Sequence, residues 1–377
     1  MSRAIPNPLF ESHEEADAEF QAYDQLQVVS TFGEPEAEYA AIRKSAAMID
    51  EPQRGILEIT GKDRLPFLNN LITNQTWDKS KKAGLQAGQG IYAFFLGRNG
   101  RIVTDLTVIE RGDRTLLDLD ARFVEPTRAA FEKYLFGEQV QLVDRVDSLR
   151  QIALHGPHAL DVLRQAGAAE MPELPVLGST SIRLYETEIT VWRDDPAGVP
   201  GYYLLIGIEA AKHVWTGLVS QFGQPTGIGR RPLRPAGWAA FNATRIEGGR
   251  PIFGIDFDAT ILPHETGQIA RAVSFTKGCY LGQEIVARMQ ARGQFAKQIV
   301  GIKMADDKLP LAGTLIYDGN DNQIGGITSS TVSPILSNVA ICLGFVKKMF
   351  AEVGTVITIP AEGEMRKGSV ASLPFVR

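Results

Sequence analysis

The chain has 377 residues, 44% of them hydrophobic and 22% charged, an ordinary globular composition that can build sizeable cores. A single core is not expected at this length, so two or three packed subdomains are. The formal charge of −5 argues against a general nucleic-acid binder, which carries a net basic field, although Arg230, Arg231 and Arg234 form a local basic stretch.

Residues 1–35 are acidic, with Glu11, Glu14, Glu15, Asp17 and Glu19 following the start without an apolar run between. That pattern is unlike a signal peptide and reads as a loosely packed leading segment. Glu36 to Ile49 reads as a helix with Ala37, Ala40, Ala41 and Ala47 on one side. Gly55 to Thr60 alternates with period two and reads as a strand, and Leu65, Leu68 and Leu71 give a short helix over Asp63–Leu71. Ile91–Leu96 and Ile102–Ile109 flank Asn99-Gly100, the strongest hairpin signal in the chain, with Asn-Gly supplying the positive φ values of a tight turn.

A strand over Thr115–Leu119, a helix over Phe123–Leu135 and a strand over Gln151–Leu154 follow, and Pro157 opens another helix. Strands at Ser181–Leu184, Glu188–Trp192 and Tyr202–Ile208 precede a helix over Glu209–Phe222. Strands and helices do not alternate regularly, so the class is α+β. From about Gln298 the chain changes to short strands (Ile299–Met304, Thr314–Tyr317, Gly326–Ser330, Ala340–Phe345, Val356–Ile359) divided by Gly, Pro, Asn and Asp, the pattern of a small all-β barrel. The expected division is 1–35, 36–294 and 295–377. No apolar run approaches the ~20 residues needed to span a bilayer. With only Cys279 and Cys342, neither a disulfide scaffold nor a Cys/His zinc site is expected; the expected setting is the cytoplasm, away from membranes.

Three segments carry candidate chemistry. The first is Lys277-Gly-Cys-Tyr-Leu-Gly-Gln-Glu284. Glycines on both sides of Cys279 permit close backbone approach, and Lys277 beside the thiol favours the thiolate. Read on composition alone, a free cysteine is more often a small buried hydrophobe. The second is Arg245-Ile-Glu-Gly-Gly-Arg-Pro-Ile-Phe-Gly-Ile-Asp256, continuing to Glu265. It reads as a Gly/Pro-rich loop whose charges form a solvated rim. The third is Asp105 on the hairpin's return strand, where a carboxylate normally faces solvent.

The string around Cys279, continued by Val286-Ala-Arg288 and Arg292-Gly293, resembles the YgfZ branch of the glycine-cleavage T-protein superfamily. Arg245-x-Glu-x-Gly-x-Pro…Asp256…Pro263-x-Glu265, Leu154-His-Gly-Pro and Leu373-Pro-Phe-Val376 resemble patterns of the wider superfamily, so the likeness runs from about Glu38 to the end. It implies a ring of subdomains around a tetrahydrofolate channel, followed by a C-terminal β-barrel. In the aminomethyltransferases of this superfamily a tandem acid pair stands at Thr104-Asp105, so Asp105 keeps the acid that assists a folate amine. Tyr203 stands where that branch has a carboxylate pterin anchor, and Phe241 where it has an arginine, which implies stacking in place of charge. With Arg245, Lys277 and Tyr280 these make the expected folate contacts. The resemblance implies a folate-binding factor for iron–sulfur cluster assembly or repair, acting with an assembly or client protein and using Cys279 and Asp105 as its working groups. The alternative is a tetrahydrofolate-dependent aminomethyltransferase or another one-carbon transferase.

Overall fold

The first sheet grows from the turn at Asn99-Gly100. A computed structural model of the chain, describing residues 5, 7–226, 231–293 and 295–376, places strands Gly90–Leu96 and Ile102–Glu110 on either side of it. Arg230 of the basic stretch lies outside the described residues. Only Gly100 takes a positive φ, 73°, and the connection closes through Gly100 N to Gly97 O at 2.9 Å and Gly97 N to Arg101 O at 2.8 Å. The strands end at Leu96 and resume at Ile102 as expected, with a single left-handed residue where Asn-Gly suggested two. Strands Arg54–Thr60, Arg114–Asp120 and Gln141–Asp144 complete a five-stranded antiparallel sheet. Its registers set Tyr92 opposite Thr107, Thr107 opposite Asp118, and Asp118 opposite Ile56. Period-two alternation then puts Tyr92, Asp105, Thr107, Asp118 and Arg54 on one face. Leu57, Ile59, Ala93, Phe95, Leu106 and Leu117 on the other face pack under helices Arg64–Leu71 and Ala121–Glu132.

A second sheet has six strands in the order Ser179–Leu184, Thr187–Arg193, Gly201–Gly207, Leu149–His155, Ala47–Asp50 and Arg234–Pro235. Met48, Ile152, Leu154, Val191 and Leu204 pack behind it with helix Ile208–Phe222. Its other face presents Ala153, Trp192, Tyr203 and Leu205, which meet Ile56, Ile109 and Leu116 of the first sheet. The two sheets thus stand inner face to inner face.

Two expectations fail here. The helix expected over residues 36–49 spans Pro35–Lys44, and Ala47–Asp50 is a strand paired with Ile152–His155. Alanine-rich helix propensity yields to a sheet register that buries all four residues. Nor is the acidic leading segment loose. Leu9 and His13 are fully buried, Glu19–Tyr23 and Leu26–Thr31 form a hairpin, and His13 Nε2 lies 2.9 Å from Asp50 Oδ2, which also takes Arg150 Nη2 at 2.6 Å.

The C-terminal strands Lys297–Met304, Leu315–Tyr317, Gln323–Ser333, Val339–Lys347, Val356–Ala361 and Glu364–Ala371 close into a barrel. The last, Glu364–Ala371, was not expected, because Glu364, Arg366 and Lys367 mask its alternation, yet it pairs with Lys297–Met304 to seal the ring. Cys342 is a buried member of the barrel core. The fold is α+β with a terminal all-β barrel, as the sequence implies.

Four of the charges read as a solvated rim, Arg245, Glu247, Asp256 and Glu265, are buried. Arg245, on helix Trp238–Glu247, sends Nη1 to Asp256 Oδ2 at 2.7 Å and Nη2 to Ser329 Oγ at 2.7 Å in the barrel. Ser329 Oγ in turn donates to Asp256 Oδ1 at 2.6 Å. Glu247 takes Arg43, Tyr39 and the barrel's Ser333. These ion pairs join helix, loop and barrel, and each buried charge is matched. Replacing Arg245 with Met leaves Asp256 buried without its cation, so Arg245→Met is expected to lower unfolding free energy by about 3–5 kcal/mol in urea titration.

Candidate functional site

The gap between the two inner faces is a cavity of about 100 Å³ that opens to solvent. The five-stranded sheet supplies Arg54, Tyr92, Asp105, Thr107 and Asp118, and the six-stranded sheet supplies Trp192 and Tyr203. Phe241 comes from helix Trp238–Glu247, Asp194 and Arg250 come from connecting segments, and Arg271 comes from the short helix Ile269–Ala272. Glu51 and Gln53 stand on the tight turn that carries the chain from one sheet to the other, closed by Arg54 N to Glu51 O at 3.1 Å. Tyr23 reaches the cavity from the N-terminal hairpin.

Charges in the wall are balanced unevenly. Arg54 grips Asp118 with Nε at 3.2 Å and Nη2 at 2.6 Å, the bidentate geometry that suits a carboxylate. Asp194 Oδ2 takes Arg271 Nη2 at 2.6 Å and Arg250 Nη1 at 3.3 Å. Burial alone would push Asp194 up, but the two guanidiniums outweigh it and hold the carboxyl below its usual range. The Arg271 guanidinium also sits 4.2 Å from the centroid of the Tyr92 ring. Among the described residues Asp105 has no ion-paired arginine; Tyr92 OH donates to its Oδ2 at 2.8 Å, and its buried Oδ1 has no partner there. Burial pushes the Asp105 carboxyl up, against the pull of Arg54 and the Tyr92 hydrogen bond. The opposite wall is aromatic: Trp192 and Tyr203 stack at 4.3 Å with an interplanar angle of 16°, and His155 lies between Tyr203 and Phe241. Burial holds that imidazole neutral, with its pKa pulled down to about 4.

Of the residues singled out in the sequence, Asp105, Tyr203 and Phe241 come together in this cavity, and four do not. Arg245 is spent on Asp256 and Ser329 at the barrel junction, away from the cavity lining. Lys277 Nζ donates to three backbone carbonyls, Asn69 at 2.7 Å, Ile72 at 2.5 Å and Asn74 at 3.0 Å, at the C-terminal end of helix Arg64–Leu71. Burial pulls its amine down, to about 7, and the three carbonyls oppose this because only the ammonium has three N–H donors. It acts as a helix-end clamp. Tyr280 packs with Phe94, Leu96, Ile102 and Val286. Cys279 is exposed, in a shallow groove with Phe67, Leu71, Tyr134 and Leu281. The glycine requirement is at Gly282, whose φ is 80° and where a Cβ would come within 2.8 Å of Gly97 O; Gly278 faces open space.

Sequence reasoning missed Glu51, Arg54, Asp118, Asp194, Arg250, Arg271 and Trp192 as cavity residues. Asp118 carried a signal: in Leu116-Leu-Asp-Leu-Asp120 it shares a sheet face with Asp105 once the strands are paired. The others depend on which faces meet, which needs the tertiary arrangement.

Glu51 is buried, and the one hydrogen bond to its carboxyl among the described residues comes from Gln151 Nε2 at 2.8 Å to Oε2. Burial raises its carboxyl from 4.5 to about 7, so folding favours the neutral acid. That contribution is complete below pH 4.5 and is lost as pH rises through about 7. Glu51→Gln removes the titration, so wild type should lose on the order of 3 kcal/mol more stability than Glu51→Gln between acid pH and pH 8, measured by urea unfolding across that range.

Two family models match the chain: the GCVT N-terminal domain over residues 9–277 and the glycine cleavage T-protein C-terminal barrel domain over residues 297–377. Curated relatives named aminomethyltransferase match along nearly their whole length. The protein from Bacillus pumilus (strain SAFR-032) is 29% identical over 98% of this chain and 98% of its own, and that from Halothermothrix orenii is 28% identical over 98% and 99%. The fold is that of the glycine cleavage system aminomethyltransferase T crystal structure from Bartonella henselae, with a TM-score of 0.86 at 23% identity over 99% of this chain and 98% of the other. The expectation of an iron–sulfur maturation factor is overturned by these full-length matches, and Cys279 is not among the residues lining the cavity. The chain belongs to the glycine-cleavage T-protein family.

Proposed function

We propose that the chain is a tetrahydrofolate-dependent one-carbon transferase of the aminomethyltransferase type. The observation that carries this is Asp105 Oδ1, a buried carboxylate oxygen without a partner, lining a cavity walled on its other side by stacked aromatic rings. A flat heterocycle fits against such a wall, and an unpaired acceptor needs a donor from the ligand. Tetrahydrofolate, when bound, supplies the amine that takes up the one-carbon unit. Asp105 then accepts the proton of that amine, and its raised pKa brings proton transfer closer to neutral pH. Tyr92 fixes the carboxylate orientation through Oδ2, so Oδ1 points at the ligand. Tyr203 and Phe241 make apolar contact with it, and the sheet faces exclude bulk water. The finer placement, in a YgfZ-like branch, is supported by the Lys277–Glu284 segment alone and is a statement of lineage in this reading.

Aminomethyl transfer from a loaded lipoyl carrier protein to tetrahydrofolate is the deciding assay. Asp105→Asn keeps the shape and removes the base, so the rate should fall by about 10²–10⁴-fold while folate affinity stays within about tenfold. A wild-type protein that binds folate and transfers nothing would sink the reading. Cys279→Ala should keep wild-type transfer and folate affinity and shift stability by no more than about 0.5 kcal/mol, read from the same assay and a thermal melt.

A further inference from the structure

Lys277 and Asn74 stand outside the cavity lining, yet both are bonded to the backbone that carries it. Lys277 is buried without a carboxylate partner among the described residues. Its three N–H donors go to three backbone carbonyls, so one ammonium ties Asn69, Ile72 and Asn74 to a single point. The same segment runs beside strand Gly90–Leu96. Thr73 N bonds Phe94 O at 3.0 Å, Phe94 N donates to Thr73 Oγ1 at 2.8 Å, and Thr73 Oγ1 donates to Ala272 O at 2.7 Å. Asn74 completes the link, its Nδ2 donating to Tyr92 O at 2.9 Å and to Arg271 O at 3.0 Å. One carboxamide nitrogen, with two hydrogens, thus sets the spacing between two cavity residues from different elements. Their side chains meet in the cavity: the Arg271 guanidinium lies over the Tyr92 ring, Tyr92 OH holds Asp105 Oδ2, and Arg271 Nη2 holds Asp194 Oδ2.

We propose that Asn74 and Lys277 are positioning residues for proton acceptance at Asp105, acting on it through the backbone of Tyr92. This rests on the one-carbon transferase reading and extends it to residues that touch no ligand. The chain of contacts is continuous: Lys277 Nζ to Asn74 O, Asn74 Nδ2 to Tyr92 O, and Tyr92 OH to Asp105 Oδ2. A carboxylate that takes a proton at Oδ1 has to be held closely, because misplacing a reacting group by ~1 Å costs about 100-fold in rate. Among the described residues the hydrogen bond that orients Asp105 comes from Tyr92 alone, so drift of the Tyr92 ring becomes drift of the acid. The residue types fit the task. A serine in place of Asn74 offers one donor, and an aspartate sets acceptors against both carbonyls. An ammonium supplies one N–H to each of three carbonyls, which a neutral amine or a hydroxyl cannot do.

A mutant cycle on the full chain tests this, read as the single-turnover rate of aminomethyl transfer to tetrahydrofolate. Asn74→Ala is expected to lower the rate by about tenfold or more when Asp105 is present, and by no more than about twofold in an Asp105→Asn background. The half-saturating tetrahydrofolate concentration should stay within about threefold of wild type. Lys277→Ala is expected to behave alike. Added n-propylammonium, which brings three N–H donors to the vacated space, should restore most of the lost rate, and 1-propanol, with one donor, should not. An equal fractional loss of rate in both backgrounds marks a merely structural role and overturns the proposal. A folded Asn74→Ala that transfers at the wild-type rate does the same, and both results leave the transferase reading intact. Equal rescue by the two compounds overturns the assignment of Lys277. A folded wild type that binds folate and transfers nothing overturns the proposal and the reading together. Thermal melts identify the variants that are folded at the assay temperature; if Lys277→Ala is not, the Asn74 cycle decides.

Discussion

A buried carboxylate is tolerated when a cation or several donors meet it, and otherwise it becomes a neutral acid. The cavity wall of this protein holds four acids, Glu51, Asp105, Asp118 and Asp194, and three guanidiniums, those of Arg54, Arg250 and Arg271. Arg54 goes to Asp118, and both Arg250 and Arg271 go to Asp194. Glu51 and Asp105 are left with uncharged partners, Gln151 and Tyr92, and burial raises both carboxyls. The inner faces of the sheets therefore cannot close on each other as a dry sandwich. Charge matching holds the cavity open and also marks the two acids that have spare capacity.

How much of this was legible in the sequence depended on the range of the interaction. The hairpin at Gly100 and most strands of the barrel rest on local alternation and turn chemistry, and they stand where those signals put them. The strand Ala47–Asp50 was hidden because its partner, Leu149–His155, lies far along the chain and its own residues favour a helix. Asp105, Tyr203 and Phe241 were found through resemblance, and period-two alternation alone would not have told their face from the solvent face. Arg54, Arg250 and Arg271 had no local mark at all, because a guanidinium is read as structural or solvated until the acid it meets is known. Arg245 shows the converse. Its motif was legible, but its place at the barrel junction, not in the cavity, is a matter of which elements pack.

The Lys277–Glu284 segment illustrates how a recognisable string serves architecture. Lys277 satisfies the carbonyls left open where helix Arg64–Leu71 ends, Leu281 N bonds Asn70 O at 3.1 Å, and Gly282 lets the strand end at Leu96 and Gly97 come close. The segment fastens a helix end to the hairpin that carries Asp105. A thiol in such a strap is a surface atom of a structural element, and its neighbours are explained without any reaction at sulfur.

The order of strands in the six-stranded sheet bears on how the molecule assembles. Ala47–Asp50 and Leu149–His155 are neighbours in space, yet the entire five-stranded sheet lies between them in sequence. Closing that loop while it is still a flexible coil carries an entropic penalty, and topologies rich in such distant pairings fold slowly. Compaction of the inserted sheet first shortens the effective loop and brings the two strands within reach. The topology thereby makes one pairing, Ala47–Asp50 with Leu149–His155, depend on the compaction of the sheet inserted between them, whereas the strands bearing Trp192 and Tyr203 pair with near neighbours in the chain.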